Sequence, residues 1–161
     1  LVARLRENMP DIALSTDLIV GFPGETEADF EETLSLVREV DYHYLFSFKY
    51  SPRPNTLATK RMRDDVPEAE KTRRIMALQT LQRELQYARH QRAVGTVEEV
   101  LVDSVSRRRE SELAGRTSGS IVVNFPGPRE WIGRLVPVRI VEAGPNSLRG
   151  EAVGAAPDGR Q

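Results

Sequence analysis

The sharpest chemical pattern in the chain is the run DLIVGFPGE, from Asp17 to Glu25. Glycine at positions 21 and 24 lets the backbone turn sharply and keeps any Cβ from standing between the main chain and a planar ligand. Such a turn at the C-terminal end of a strand is where α/β barrels and open sheets place ligands. From local physics alone it reads first as a tight strand-to-helix connection, with Thr26 capping the next helix. A second run, YSPRPNT from Tyr50 to Thr56, holds Arg53 between two prolines. That stiff backbone suits a guanidinium aimed at an anionic or carbonyl group, and it also suits a proline-stiffened surface loop. A third run, Arg107, Arg108 and Arg109, makes a basic turn followed by Arg116. Cations so placed match the phosphates of RNA. The alternative is a solvated face, because residues 95–154 hold eight arginines against eight acidic residues. His43, between Tyr42 and Tyr44, reads as a packed loop residue, and Trp131 as a plug at one end of a small barrel.

The elements that must position these residues follow from periodicity. Residues 12–20 form a short apolar run that predicts a buried strand. Thr26 with Asp29 three residues later resembles a capping box, and Phe30, Leu34 and Val37 continue at helical spacing, predicting a helix over about 26–39. Tyr44 to Tyr50 is aromatic-rich and reads as the next strand, so the three make a βαβ unit with parallel strands. Residues 51–65 read as a loop. Pro67 suits a helix start, and Ile75, Leu78, Leu81, Leu85 and Ala88 mark the stripe of a long helix reaching about Val94, with Gly95 as its C-cap. Beyond it the period changes, and strands are predicted at 96–103, 111–117, 120–125, 135–142 and 147–153. Ile121, Val123 and Phe125 share one face, as do Val136, Val138 and Ile140. The fold class is therefore α/β plus all-β, ending in a small five-stranded barrel of the oligonucleotide-binding kind.

Composition bounds the function. The 161 residues are 39% hydrophobic and 29% charged with a net charge of -1, which fits a globular chain and argues against an indiscriminate polyanion binder. No apolar run approaches the roughly 20 residues that span a bilayer. There is no cysteine, so these residues hold no thiolate-ligated cluster, and His43 and His90 are too few and too distant to suggest a metal site. The opening LVARLRENMPDI reads as a helix entered midway, so a segment of a longer protein is expected.

The residues from Ser15 to Thr56 resemble the latter part of the radical S-adenosylmethionine domain of the methylthiotransferases. The pattern Ile-x-Gly-x-x-Gly-Glu, met here by Ile19, Gly21, Gly24 and Glu25, lies in that family on the fifth strand of a (β/α)6 partial barrel and lines the adenosine side of the cofactor. Residues 95–154 resemble the TRAM domain, an OB-like barrel that binds RNA. Ala114 to Gly127 and Pro145 to Val153 look like the MiaB branch, which acts on tRNA. The resemblance implies a division into 1–94, the end of the radical domain with its helical extension, 95–154, and a tail, 155–161.

By the same resemblance, Arg53 and Asn55 belong to a substrate loop, and RNA contacts fall on Arg107, Arg108, Arg109, Arg116 and Asn124. Asn55 stands where the family usually has glycine, and asparagine tolerates positive φ better than most residues. The implied cofactors are S-adenosylmethionine and two [4Fe–4S] clusters, none ligated by this chain. The implied partners are a tRNA anticodon stem-loop and an electron donor, with a monomer in the cytoplasm and no membrane. The implied reaction transfers a methylthio group to carbon 2 of an isopentenyl-modified adenosine beside the anticodon, and this cysteine-free chain alone is expected to be inactive. Two alternatives are the same chemistry on a ribosomal protein or on threonylcarbamoyladenosine, and a non-catalytic RNA-binding module.

Overall fold

The computed structural model describes residues 1–107 and 109–154, so Arg108 and the tail 155–161 lie outside the described residues. The chain divides into two compact units, Leu1–Leu85 and Gln86 onward.

The first unit begins with helix α1 (Val2–Asn8). Strands β1 (Ser15–Val20) and β2 (Tyr44–Lys49) pair in parallel, in register from Ser15↔Tyr44 to Val20↔Lys49. Helix α2 (Glu27–Val40) connects them, as the βαβ reading required. Its start is the expected capping box: Asp29 N–H donates to Thr26 Oγ1 at 3.2 Å, and Thr26 N–H donates to Asp29 Oδ2 at 2.8 Å. Phe30, Leu34 and Val37 bury one face of α2 against Val20 and Leu78.

Two features of this unit differ from the sequence reading. The loop 51–65 contains a short helix, α3 (Leu57–Arg61), capped by Thr56. It buries no residue, so it leaves no apolar period in the sequence. The long helix α4 (Glu68–Ala93) forms where predicted, but its stripe is shifted. Leu78 is fully buried and Ala88 is exposed, while Lys71, Arg74 and Gln82 join the buried face. The first turns of α4 meet carboxylates and loop backbone, which charged side chains satisfy and leucines would not.

In the second unit β3 (Val97–Val105), β4 (Glu112–Arg116), β5 (Val122–Pro126), β6 (Leu135–Ala143) and β7 (Leu148–Ala152) close into a barrel in the order β3-β4-β5-β7-β6. Only β5 and β7 pair in parallel. Val136, Val138 and Ile140 point inward along β6, and Val123 and Phe125 along β5, as alternation predicted. Ile121 precedes β5 and is only partly buried against this core. Trp131, in a single 3-10 turn (Arg129–Trp131), is partly buried and packs against the same core.

Strand β3 carries a bulge. Val102 pairs with Gly115 and Ser104 with Ala114, leaving Asp103 as an extra residue, so Asp103 and Ser104 are both exposed.

The C-terminal turns of α4 are fastened to the barrel. Ala93 packs on its core, Gly95 (φ +91°) donates its N–H to Ile140 O at 2.8 Å, and Gln86 Nε2 donates to Pro145 O at 2.8 Å. His90 is buried, with Nδ1 2.7 Å from Gly144 O. Replacing it by alanine leaves that carbonyl without its partner, at a cost of about 1–3 kcal/mol. His90→Ala should therefore lower the barrel's melting midpoint by roughly 4–8 °C per kcal/mol, measured by circular dichroism. An unchanged midpoint would show that the bond does not hold the helix.

Candidate functional site

The glycine loop is shaped from behind by α4. Gly21 has φ +70° and Gly24 φ +84°, conformations that side chains rarely adopt. Gly21 N–H donates to Glu25 Oε2 at 2.5 Å, and the same oxygen accepts from Arg74 Nη1 at 2.7 Å. Arg74 Nη1 also reaches Glu25 O at 2.9 Å. Gly24 N–H donates to Asp65 Oδ1 at 2.8 Å. Lys71 lies directly under the turn, so a Cβ on Gly21 would stand 2.3 Å from Lys71 Cγ. Lys71 Nζ is bound by both Asp64 oxygens, at 2.6 and 2.7 Å.

The pair Arg74–Glu25 is nearly dry, with side chains 5% and 11% exposed. Burial alone would lower the Arg74 pKa, but the bonds to Glu25 and Glu70 raise it above the ordinary value. Hydrogen bonds from Arg73, and then from Arg74, outweigh the opposing effect of burial and hold the Glu70 carboxyl down to about 2. Phe22 stands edge-on to Tyr50, with centroids 5.1 Å apart, linking the glycine loop to the start of the second loop.

The four predicted cofactor residues therefore occupy two environments. Gly21 is buried, and the Glu25 carboxylate is taken up by Gly21 and Arg74. Gly24 and Ile19 are exposed. Because Ile19 pairs with Phe48 and Asp17 with Phe46, Ile19, Phe46 and Phe48 share the exposed face of the sheet. That apolar wall and the open backbone at Gly24 fit a planar base. A thiolate-held cluster does not fit, since the chain has no cysteine. Among the described residues no group of three His, Asp or Glu could hold a metal ion.

In the second loop the Arg53 carbonyl accepts from Thr56 Oγ1 at 2.9 Å and Thr59 Oγ1 at 2.7 Å, which fixes its backbone. Its side chain is exposed, and Asn55 adopts φ +67°, the conformation glycine would otherwise supply.

On the barrel, Arg107, Arg116 and Asn124 come together around an open cleft of about 390 Å³, with Asp103, Ser104 and Ser147. Arg109 lies apart from that cleft: it donates to the buried Glu112 at 3.0 Å, which also accepts from Arg149 Nη2 at 2.8 Å. Sequence reasoning missed Asp103, Ser147 and Arg149 in the barrel, and Asp64, Asp65, Lys71 and Arg74 behind the glycine loop. The one available signal was the gap in the apolar stripe of α4 before Ile75.

Two outcomes follow from the charges behind the loop. Arg74→Ala strands the Glu25 carboxylate and should cost about 3–5 kcal/mol in denaturant unfolding, with Arg74→Met paired with Glu25→Gln costing far less. Equal losses from both would show that the pair does not hold the loop. Because the folded pKa of Glu70 is depressed from 4.5 to about 2, its contribution is complete above 4.5 and is lost as pH falls toward 2. Melting midpoints across that window should fall more steeply for the wild type than for Glu70→Gln, and parallel slopes would remove Glu70 from the account.

Residues 91–153 match the family model described as the TRAM domain. Over 95% of its length the chain is 49% identical to a protein of Chromobacterium violaceum named tRNA-2-methylthio-N(6)-dimethylallyladenosine synthase, covering 34% of it. Proteins of the same name match from Halorhodospira halophila, 51% identical over 95% of this chain and 32% of that one, and from Geobacter metallireducens, 50% identical over 93% and 34%. The chain thus spans about a third of the length of these curated relatives. Residues 91–153 are thus similar to the TRAM domain, and over nearly its whole length the chain is similar in sequence to proteins named tRNA-2-methylthio-N(6)-dimethylallyladenosine synthase.

Proposed function

We propose that this chain works within a tRNA methylthiotransferase, where its first unit presents the glycine loop to S-adenosylmethionine and its barrel holds tRNA. The observation that carries this reading is the likeness of 49–51% along nearly the whole chain, across both units, to proteins named for that reaction. The substrate is the isopentenyl-modified adenosine beside the anticodon, thiomethylated at carbon 2. S-adenosylmethionine, when bound, supplies the methyl group. Cysteines outside these 161 residues hold the clusters that the reaction needs, and an electron donor serves them. The setting is a cytoplasmic monomer; no described helix is long and apolar enough to cross a membrane. Alone, the chain does not turn over.

Within that frame the residues divide their work. Ile19 and the backbone at Gly24 form one wall of the adenosine site. Glu25 acts from behind, holding Gly21 N–H so that the turn stays open toward the ligand. Arg53, on its braced backbone, reaches an anionic or carbonyl group of a substrate. Arg107 and Arg116 meet phosphates with Asn124 between strands, whereas Arg109 divides its charge with Glu112.

Methylthio-nucleoside profiling of tRNA from a strain lacking the gene tests the reading. The 2-methylthio form of isopentenyladenosine should disappear while isopentenyladenosine accumulates. An unchanged profile would refute the proposed reaction.

A further inference from the structure

The cleft on the barrel contains a group that phosphate binding alone does not explain. Arg107 and Arg116 supply positive charge, yet Asp103 places a carboxylate beside them. A carboxylate repels a phosphate and weakens any site built only for anions. It lies on the outward face of β3, next to the buried Val102, and the bulge between Val102 and Ser104 leaves it without a pairing partner on β4. It is not consumed by its neighbours. Ser104 Oγ donates to Oδ1 at 2.6 Å, while Arg116 Nε stands 3.6 Å from Oδ2 with both side chains about half exposed. The carboxylate therefore keeps acceptor capacity facing the cleft.

The ligand must then combine an anion with a neutral donor close beside it. A ribose phosphate does so, since its 2′-hydroxyl sits next to the 3′-phosphate and can donate as well as accept. Asn124 and Ser147 add a mixed donor and acceptor surface for a sugar. Among the described residues no aromatic side chain lines the cleft, so it offers no platform for stacking a base. Its volume of about 390 Å³ lies in the range of small-molecule sites, roughly 300–1,000 Å³.

We infer that this cleft binds the sugar–phosphate backbone of single-stranded RNA and distinguishes it from DNA through the 2′-hydroxyl, which donates to Asp103 while Arg107 and Arg116 hold the phosphate. The inference rests on the reading of the barrel as an RNA holder and deepens it: the cleft reads the kind of backbone, and base identity is read elsewhere.

The 161-residue chain is titrated against labelled oligonucleotides of about 10 residues in ribo, deoxyribo and 2′-O-methyl forms of one sequence, by fluorescence anisotropy. The ribo form should bind about tenfold tighter, the effect of one hydrogen bond to a charged acceptor. The 2′-O-methyl form keeps an acceptor but loses the donor, and should fall to the deoxyribo level. In Asp103→Ala the ratio of ribo to deoxyribo affinity should collapse toward one while deoxyribo binding holds or rises, because a repelling charge has gone. Arg116→Ala should weaken both forms alike and reduce the salt slope by about one. Equal ribo and deoxyribo binding by the wild type overturns the inference and leaves the RNA-holding reading intact. Binding of no oligonucleotide, or binding untouched by Arg107→Ala and Arg116→Ala, overturns that reading itself.

Discussion

Arg74 takes its guanidinium out of water to meet Glu25, and the shape of the glycine loop follows from that pairing. Removing either ion from solvent costs several kcal/mol, which is offset only when geometry is good and remaining donors are satisfied. Here one carboxylate oxygen receives both Arg74 and Gly21 N–H, and Arg74 also bonds the Glu25 carbonyl and Glu70. The turn cannot relax without leaving a buried charge unpaired. Lys71 adds a steric constraint, since its stem fills the space where any larger residue at 21 would place a Cβ. The loop is thus defined by the helix behind it as much as by its own glycines.

This alters how a glycine-glutamate motif is understood. The carboxylate at its end would ordinarily be taken for a ligand contact, because it is charged and sits beside a turn that admits ligands. In this chain its partners are a backbone amide and a guanidinium of the same unit. Its contribution here is to the shape of the loop, while Ile19, Phe46, Phe48 and Gly24 stay exposed.

The barrel obeys a different constraint. Five short strands have no free edge only if they close, and closure needs strands that bend. Bulges supply that bend in β3 and in β6. In β3 the bulge leaves Asp103 without a partner on β4, and Asp103 lines the cleft. Nearby, Glu112 draws Arg109 and Arg149 together, and the basic turn is divided between a structural network and an open cleft.

Much of this architecture was legible because it is local. The capping box at Thr26 and Asp29, the β-branched alternation of Val136, Val138 and Ile140, and the positive φ of Asn55 each depend on a few neighbouring residues whose stereochemistry leaves little choice. The parallel pairing of β1 and β2 followed from chain connectivity, and the kinship of the chain from the resemblance of its motifs to those of a known family. What required the tertiary structure was the choice of side-chain partners between distant segments. Nothing near Glu25 announces Arg74, because the two meet across 49 positions of chain. The gap in the apolar stripe of α4 before Ile75 does not name the carboxylates that its first turns meet, and a bulge, being a mismatch between two strands, exists only once both are paired. Burial, partner choice and the gathering of Asp103 with Arg107 and Arg116 around one cleft are properties of packing, which is why they appear only in the folded chain.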